Sequence, residues 1–505
     1  MQNVTQTTFS ENVGGGERMQ LNRETLSRLP ISGPDYDRAD MRAGIAHFGV
    51  GGFHRAHQAM YLDRLMAQGR ASDWGICGIG VTPADRRMRD VLSAQDGLYT
   101  LTLAHPDGSR ESRVIGSLVE FRYAPDDPEA VIELLADPAI RIISLTITEG
   151  GYNLRDTDGE FDVDAPAIRR DLTGERPPAT VFGLVVAGLA RRRERGVAAP
   201  TIVSCDNIEG NGRVARRAFT GYATLLDPAL AQWITEQVTF PSSMVDRITP
   251  ATTPEVVEQV DAETGLADGW PVVAEPFAAW VLEDDFAAGR PPFEEARVRM
   301  VDDVTPYELM KLRLLNAAHQ CLCYFAALAD YRFVHDAAQD PLLAGYLDRY
   351  LDSEGMPTLP QIPGLAEFRA TLLERFANPH IRDTVARLCA ESSDRIPKWL
   401  LPVIGDNLAA GRPVRAAAAT VAAWARYAEA IDEHGQPIEV VDRLADMLIP
   451  IARTQRDDPT AFLANRAVFG DLVDHPRFVD EYVTALRSLH RDGARATLEM
   501  LVREQ

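Results

Sequence analysis

The stretch Gly44-Ile45-Ala46-His47-Phe48-Gly49-Val50-Gly51-Gly52-Phe53-His54-Arg55-Ala56 decides how the first half of this chain folds. It opens as a short apolar run, the pattern of a strand buried on both faces. Glycines then allow a tight turn, and a helical pattern runs from Phe53 to about Gln68. Strand, glycine turn and helix in that order let backbone N–H groups approach a pyrophosphate at the positive end of a helix. Only Gly49 and Gly51 fit the start of the G-x-G-x-x-G pattern, and His54 stands where its third small residue is expected. The flanking strand and helix favour a dinucleotide loop over a purely structural turn. Phe48, Gly49, Val50, Gly51, Gly52, Phe53 and His54 are therefore the candidate cofactor-binding residues.

The alternation continues downstream. Trp74 to Gly80 predicts a second strand, and Ile140 to Thr148 a near-continuous apolar one of the central parallel kind. Val181 to Arg195 predicts a long helix and Thr201 to Cys205 a short strand. Leu98 to Ala104 and Arg113 to Tyr123 alternate with no helix between them, which predicts a β excursion. Together these predict a doubly wound α/β domain over residues 19–302. From Asp303 the strand signals fade. Tyr307 to Ala329, Leu365 to Phe376, Ile381 to Cys389, Pro413 to Ile431, Val440 to Arg453 and Asp480 to Arg503 suit helices, the last broken at Gly493. A mostly α-helical substrate and catalytic domain is thus expected over 303–505. Residues 1–18 are polar, contain Gly14-Gly15-Gly16 and lack a signal-peptide core, and so are expected to be a disordered leader.

A chain of 505 residues buries ample core. Its formal net charge of -22 excludes nucleic acid and anionic membrane as natural partners. No apolar run is long enough to span a bilayer. The basic cluster Arg191-Arg192-Arg193 sits near a predicted helix end, where cations complement the dipole. Five cysteines, odd in number and mostly in apolar segments, suit buried thiols in a reducing cytoplasm. No Cys/His spacing matches a zinc site, so no metal is expected.

A second stretch carries chemistry. Glu308-Leu-Met-Lys311-Leu-Arg-Leu-Leu-Asn316-Ala-Ala-His319 puts an amine, an amide and an imidazole into an otherwise apolar helical run. At roughly 100° per residue, His319 lies about 80° and Asn316 about 140° around the axis from Lys311. One broad face can aim all three at a common point. A desolvated lysine loses basicity and serves as a general base near neutral pH. An amide N–H₂ can donate to a developing oxyanion, and the imidazole can orient the alcohol. The competing reading is an amphipathic helix with three solvated polar residues, against which Leu314, Leu315, Ala317, Ala318 and Cys321 argue.

Ligands of doubly wound sheets sit beyond the carboxyl ends of the strands. Two polar clusters fall there. In the first, Glu149-Gly-Gly-Tyr152-Asn153, Glu149 is either a proton exit beside the lysine or an exposed turn carboxylate. In the second, Asp206-Asn207, Asn207 is either a second amide donor or a cap of the next helix. After the second strand, Asp85 can accept from an adenosine ribose and repel a 2′-phosphate, favouring NAD. It equally suits a helix N-terminal acid, and Arg86 and Arg87 would attract that phosphate instead.

With the glycine loop, Thr148-Glu-Gly-Gly-Tyr152, Ser204-Cys-Asp-Asn207 and Lys311…Asn316…His319 assembled, the chain resembles the polyol-specific long-chain dehydrogenases from about Met19 to its end. The resemblance implies a Rossmann-type N-terminal domain, a helical C-terminal domain and a cleft between them. It implies NAD-dependent, metal-free oxidation of a linear polyol at C2 to the ketose, D-mannitol to D-fructose. By matching positions it implies Lys311 as general base, Asn207 and Asn316 as oxyanion holders and His319 as substrate-positioning residue, with Glu149 as a catalytic acidic group near the lysine. Asp246, Arg387, Arg395 and Glu308 are implied on the substrate side. The implied partner is the small polyol or ketose alone, and the implied working form is a cytoplasmic monomer. Two alternatives remain at this point: a reductase interconverting fructuronate and mannonate, with Arg387 or Arg395 gripping the carboxylate, and a non-catalytic dinucleotide sensor.

Overall fold

The computed structural model describes residues 18–155, 159–174 and 176–503. The leader expected over 1–18 lies outside the described residues except for Arg18, whose guanidinium pairs with Asp261 at 3.1 Å.

Five parallel strands make the main sheet: β1 (Ala43–Phe48), β2 (Gly75–Gly80), β3 (Leu118–Tyr123), β4 (Ile142–Leu145) and β5 (Thr201–Ser204). Their spatial order is β3-β2-β1-β4-β5, so the order reverses between β1 and β4, the Rossmann-type switch point. All the residues of β2, β4 and β5 are buried, as expected for strands covered by helices on both faces. One covering helix, Val181–Arg195, shows how locally the sequence fixes its ends. Thr180 accepts from the Gly183 amide at its start, and Gly196 at φ 64° closes its end. Arg192 is buried at that end and donates to the carbonyls of Leu135, Asp137 and Ile140, so the basic cluster there is structural.

The expected β excursion divides. Tyr99–Ala104 and Arg110–Ile115 do form an antiparallel hairpin, joined by Val272–Ala274. Leu118–Tyr123 instead leaves that hairpin and becomes the edge strand of the main sheet. The break falls at Gly116, where a Cβ would meet Pro34 Cγ at 2.5 Å and where Arg38 and Asp63 capture the backbone C=O and N–H. A second small sheet, Arg299–Val301, Ala279–Glu283 and Ser243–Asp246, stands beside the carboxyl ends of the main one.

No strand follows Val301 among the described residues. Helices Leu365–Phe376, Arg415–Tyr427 and Pro476–Arg503, the last kinked at Gly493 with φ 85°, surround a buried central helix. That helix runs through Thr305–Met310, Lys311–Asn316 and Ala317–Leu328, and its middle third is a π-helical turn. Such i→i+5 turns are short and concentrate at functional sites.

Candidate active site

The glycine turn after β1 is dictated by crowding. Gly49 has φ +92°, and a Cβ there would lie 2.0 Å from the Thr146 carbonyl oxygen at the end of β4. Thr146 donates its amide to Phe48 O at 2.9 Å and its hydroxyl to Gly49 O at 2.6 Å, stapling the two strand ends together. Gly51 and Gly52 are open, their nearest neighbours being 3.8 and 3.6 Å from an added Cβ, so their backbone faces free space. This is a cradle that side chains would fill, and it fits a pyrophosphate. The loop opens on a cavity of about 780 Å³ lined by Gly49, Gly51, Gly52, Phe53 and His54.

Two of the predicted loop residues do not face it. Phe48 and Val50 are buried in the hydrophobic cores on either side of the sheet, and only their backbone belongs to the turn. His54 occupies the third small-residue position because its ring stacks on His47 of β1 at 3.4 Å while Nδ1 meets Gln58 at 3.2 Å. The helix expected from Phe53 breaks at His57, whose φ of -123° and ψ of -92° accompany a 2.9 Å contact from Nε2 to Ala279 O.

Asp85 makes the helix-terminal contacts that one of its two readings expected. It opens the helix Asp85–Ala94, and its Oδ2 accepts from the amides of Val81 and Thr82 and the Thr82 hydroxyl at 2.8–2.9 Å. It does not line the cavity.

Across the cavity, the central helix presents Lys311 and Asn316 from its π turn and His319 from the α-helical segment that follows, all buried. Five residues complete about one π turn. Asn316 therefore lies nearer to Lys311 around the axis than regular α geometry gives. Lys311 Nζ donates to Asn207 Oδ1 at 2.6 Å and to the Val245 carbonyl at 2.7 Å. Burial holds its amine below the ordinary lysine value, with Asp246 and Glu308 pulling up and Arg375 pushing down. Burial also drives the His319 imidazole down to about 3, so it is neutral; its ring stacks on Phe376 at 4.2 Å. Asn316 Oδ1 and His319 Nε2 are buried without hydrogen-bond partners. Buried polar atoms of this kind are rare unless a ligand meets them.

Asn207 does not cap the helix after β5. The neighbouring Asp206 takes the amides of Ile147 and Thr148 and the Tyr152 hydroxyl, joining the turn after β4 to the turn after β5. Asn207 is thereby held with its carbonyl on Lys311. Asp246 lines the cavity wall and accepts from Arg375 at 2.9 Å.

The remaining candidates part company. Glu149 is at the cavity mouth, 3.5 Å from Lys398, and makes no bond to Lys311. Arg387 lines the cavity, but its Nε and Nη2 are held by Asp383. Arg395 lines it too and gives Nη1 to the carbonyls of Arg387 and Leu388. Glu308, expected on the substrate side, does not line this cavity. It lies in a smaller one of about 20 Å³ with Asn207 and Lys311, its carboxyl oxygens meeting the Gly210 amide at 3.0 and 3.1 Å. Burial raises it to about 7.

The sequence reading missed Arg375, Phe376 and Lys398. One signal was available: Leu365, Phe368 and Leu372 form an apolar stripe whose next position is Arg375. A second lay in the composition. The chain has only two lysines, Lys311 and Lys398, and both line this cavity.

Comparison with known proteins agrees with this fold. Residues 43–295 match the mannitol dehydrogenase Rossmann domain, and residues 303–490 match the mannitol dehydrogenase C-terminal domain. Mannitol 2-dehydrogenase of Phaeosphaeria nodorum is 43% identical over 487 residues, covering 95% of this chain and 85% of its own length. That of Cereibacter sphaeroides is 44% identical over 470 residues, covering 93% and 98%. The structure of Pseudomonas fluorescens mannitol 2-dehydrogenase in ternary complex with NAD and D-mannitol superposes with a TM-score of 0.86 at 43% identity, covering 96% of this chain and all of that one. A D-sorbitol dehydrogenase in substrate-free form gives 0.89 at 39% identity, covering 95% and 100%. Both domains match in order and over nearly the whole chain: the chain belongs to the mannitol dehydrogenase family.

Proposed function

We propose that this protein oxidises a linear polyol at C2 to the ketose with NAD, D-mannitol to D-fructose in first place, using Lys311 as general base and no metal. The observation that carries the reading is how the Lys311 amine is held. A neutral amine has two N–H bonds and one lone pair, and two acceptors, Asn207 Oδ1 and Val245 O, take both N–H bonds. The lone pair is left for a proton from the cavity. Burial supports the neutral form, since an apolar surrounding penalises the ammonium.

NAD, when bound along the Gly49–Gly52 cradle, supplies the hydride acceptor. Lys311 takes the hydroxyl proton as the alcohol is oxidised and returns it to the carbonyl oxygen in reverse. With its oxygen on Lys311, Asn207 has its N–H₂ left for the alkoxide-like oxygen, and Asn316, which lines the same cavity, supplies a second amide. His319, neutral and clamped by Phe376, offers Nε2 to a substrate hydroxyl. Asp246 accepts from another. Glu308 shares the small cavity behind Lys311 and, raised by burial to about 7, is suited to receive the captured proton on the side away from substrate. Arg387 is tied to Asp383, which argues for a neutral polyol over an anionic uronate. The P. fluorescens relative, in ternary complex with NAD and D-mannitol, supports the same substrate and cofactor.

The test is NADH formation across D-mannitol, D-sorbitol, D-arabinitol and aldonates, repeated with NADP. D-Mannitol with NAD is expected to give the highest kcat/KM. Lys311→Ala should lose turnover at neutral pH while cofactor titration stays near wild type. An active Lys311→Ala enzyme would discard the base, and a faster aldonate or sorbitol would replace the substrate.

A further inference from the structure

Arg375 ends the helix Leu365–Phe376 of the helical domain, yet its partners lie in the nucleotide domain. Its Nη1 donates to Asp246 at 2.9 Å, its Nε to Glu275 Oε2 at 2.9 Å and its Nη2 to Glu275 Oε1 at 2.8 Å. All three side chains are at most 5% exposed. The guanidinium also stacks over Phe277 at 3.9 Å. A planar fork fully engaged in this way fixes the direction of each carboxylate it grips. Of the two acids, Asp246 lines the cavity and Glu275 does not. The adjoining Phe376 packs on His319, and Asn378 donates across the domains to Ala104 O at 2.9 Å.

We propose that Arg375 is a positioning residue for polyol oxidation: it aims the Asp246 carboxylate at the substrate and cancels that charge where Lys311 would otherwise feel it. This rests on Lys311 being the base. The Lys311 amine meets charged and titratable groups from several elements. They are Asp246 on the strand Ser243–Asp246, Glu308 on its own helix, His57 beyond the glycine loop, Asp206 and Glu209 after β5, and Arg375. Asp246 and Glu308 favour the ammonium, whereas Arg375 opposes it. Burial works against the Arg375 charge itself, but Asp246 and Glu275 outweigh burial and hold the guanidinium above its ordinary value. The cation is therefore constant through the working pH range, and the buried carboxylates keep a partner. A buried acid stripped of its partner is strongly destabilising.

The near absence of lysine makes the test direct. Full-length chain carrying ¹³Cε-lysine gives two side-chain signals, and Lys398→Arg identifies which belongs to Lys311. In Arg375→Gln the Lys311 midpoint should rise by roughly one pH unit, the effect of an uncompensated carboxylate nearby. The acid limb of kcat/KM for polyol oxidation should move up with it, leaving activity at neutral pH roughly tenfold lower and recoverable in alkali. Glu275→Gln frees more of the Arg375 charge and should move the midpoint the other way. Arg375→Lys keeps the charge without the fork; the extra lysine signal it adds is recognised by its absence from wild type, and the Lys311 midpoint should stay near the wild-type position while KM rises. If Arg375→Gln does not fold, Glu275→Gln and Arg375→Lys carry the test between them. Midpoints and acid limbs that stay at the wild-type position in every folded variant, with only thermal stability reduced, would reduce Arg375 to a structural clasp and overturn the proposal. The lysine titration needs no turnover, so an active Lys311→Ala enzyme, which would sink the general base, is a separate outcome.

Discussion

Replacing Gly49 by alanine adds one methyl group to the turn after β1, and the structure sets its effect. The residue sits at φ +92°, where an L side chain costs about 1–2 kcal/mol. The new Cβ would stand 2.0 Å from Thr146 O and 2.7 Å from its carbon, so the turn must retreat by about 1 Å to reach even the tightest contact. That retreat pulls apart the staple, in which Thr146 N–H meets Phe48 O and Thr146 Oγ1 meets Gly49 O, at about 1 kcal/mol for each bond. The total is about 3–4 kcal/mol concentrated in the cradle. Gly51→Ala is the matched control: φ is -102°, and the added methyl has only Gly49 O at 3.8 Å for company. Differential scanning fluorimetry and NADH fluorescence titration separate the two variants. Gly49→Ala should lose several degrees of Tm and weaken the cofactor roughly a hundredfold, since about 1.4 kcal/mol is tenfold. Gly51→Ala should melt with wild type but still bind the cofactor weakly, because its methyl occupies the space meant for phosphate. Wild-type affinity in Gly51→Ala would mean that this turn is not the cradle. An unchanged Tm in Gly49→Ala would refute the strain argument.

Two further outcomes follow from the buried helix. In the proposed mechanism Asn316→Ala removes one of the two amides assigned to the reacting oxygen and should lower kcat for polyol oxidation by about 10²–10³ while KM changes little; steady-state kinetics decide it, and a loss confined to KM would make Asn316 a binding group only. The pH profiles of the two directions should mirror each other. Burial holds the Lys311 amine below the ordinary lysine value, so with Lys311 as the proposed base oxidation should rise with pH and level off below the usual lysine midpoint. Ketose reduction needs the ammonium and falls over the same interval. Coincident profiles in both directions would place the titrating group elsewhere.

Much of the fold was legible because it rests on burial. The apolar runs at β1, β2, β4 and β5 and the stripe of Val181–Arg195 are forced by two-sided packing, and each lies within a few residues of its predicted place. The edge strand Leu118–Tyr123 was harder. Whether an alternating segment joins one sheet or the next depends on contacts at Gly116 made by Pro34, Arg38 and Asp63, far away in sequence. The π turn had no signal, since one extra residue per turn changes no residue type. The trio Lys311, Asn316 and His319 could be read because polar groups in an apolar helix stand out. Glu308 was misplaced because spacing gives a helix face but not which backbone amide has already claimed the carboxylate, and the same gap is why spacing left both readings of Asp85 open. Arg375 broke an apolar stripe and so was visible in principle, although its partners, 129 and 100 positions distant in sequence, were not.

The scarcity of lysine has a practical corollary. Reagents that acylate or reductively alkylate amines usually decorate a protein's outside, whereas here the two side-chain targets share a single chamber. Lys398 sits at the entrance, 58% exposed, and Lys311 is sealed behind it. Wherever coupling to an aldehyde or succinimide resin goes through a lysine and not the terminal α-amine, it would anchor the molecule by its own doorway. Handling chemistry that is harmless to most dehydrogenases would obstruct this one, and a lysine-free peptide tag at a terminus is the safer attachment.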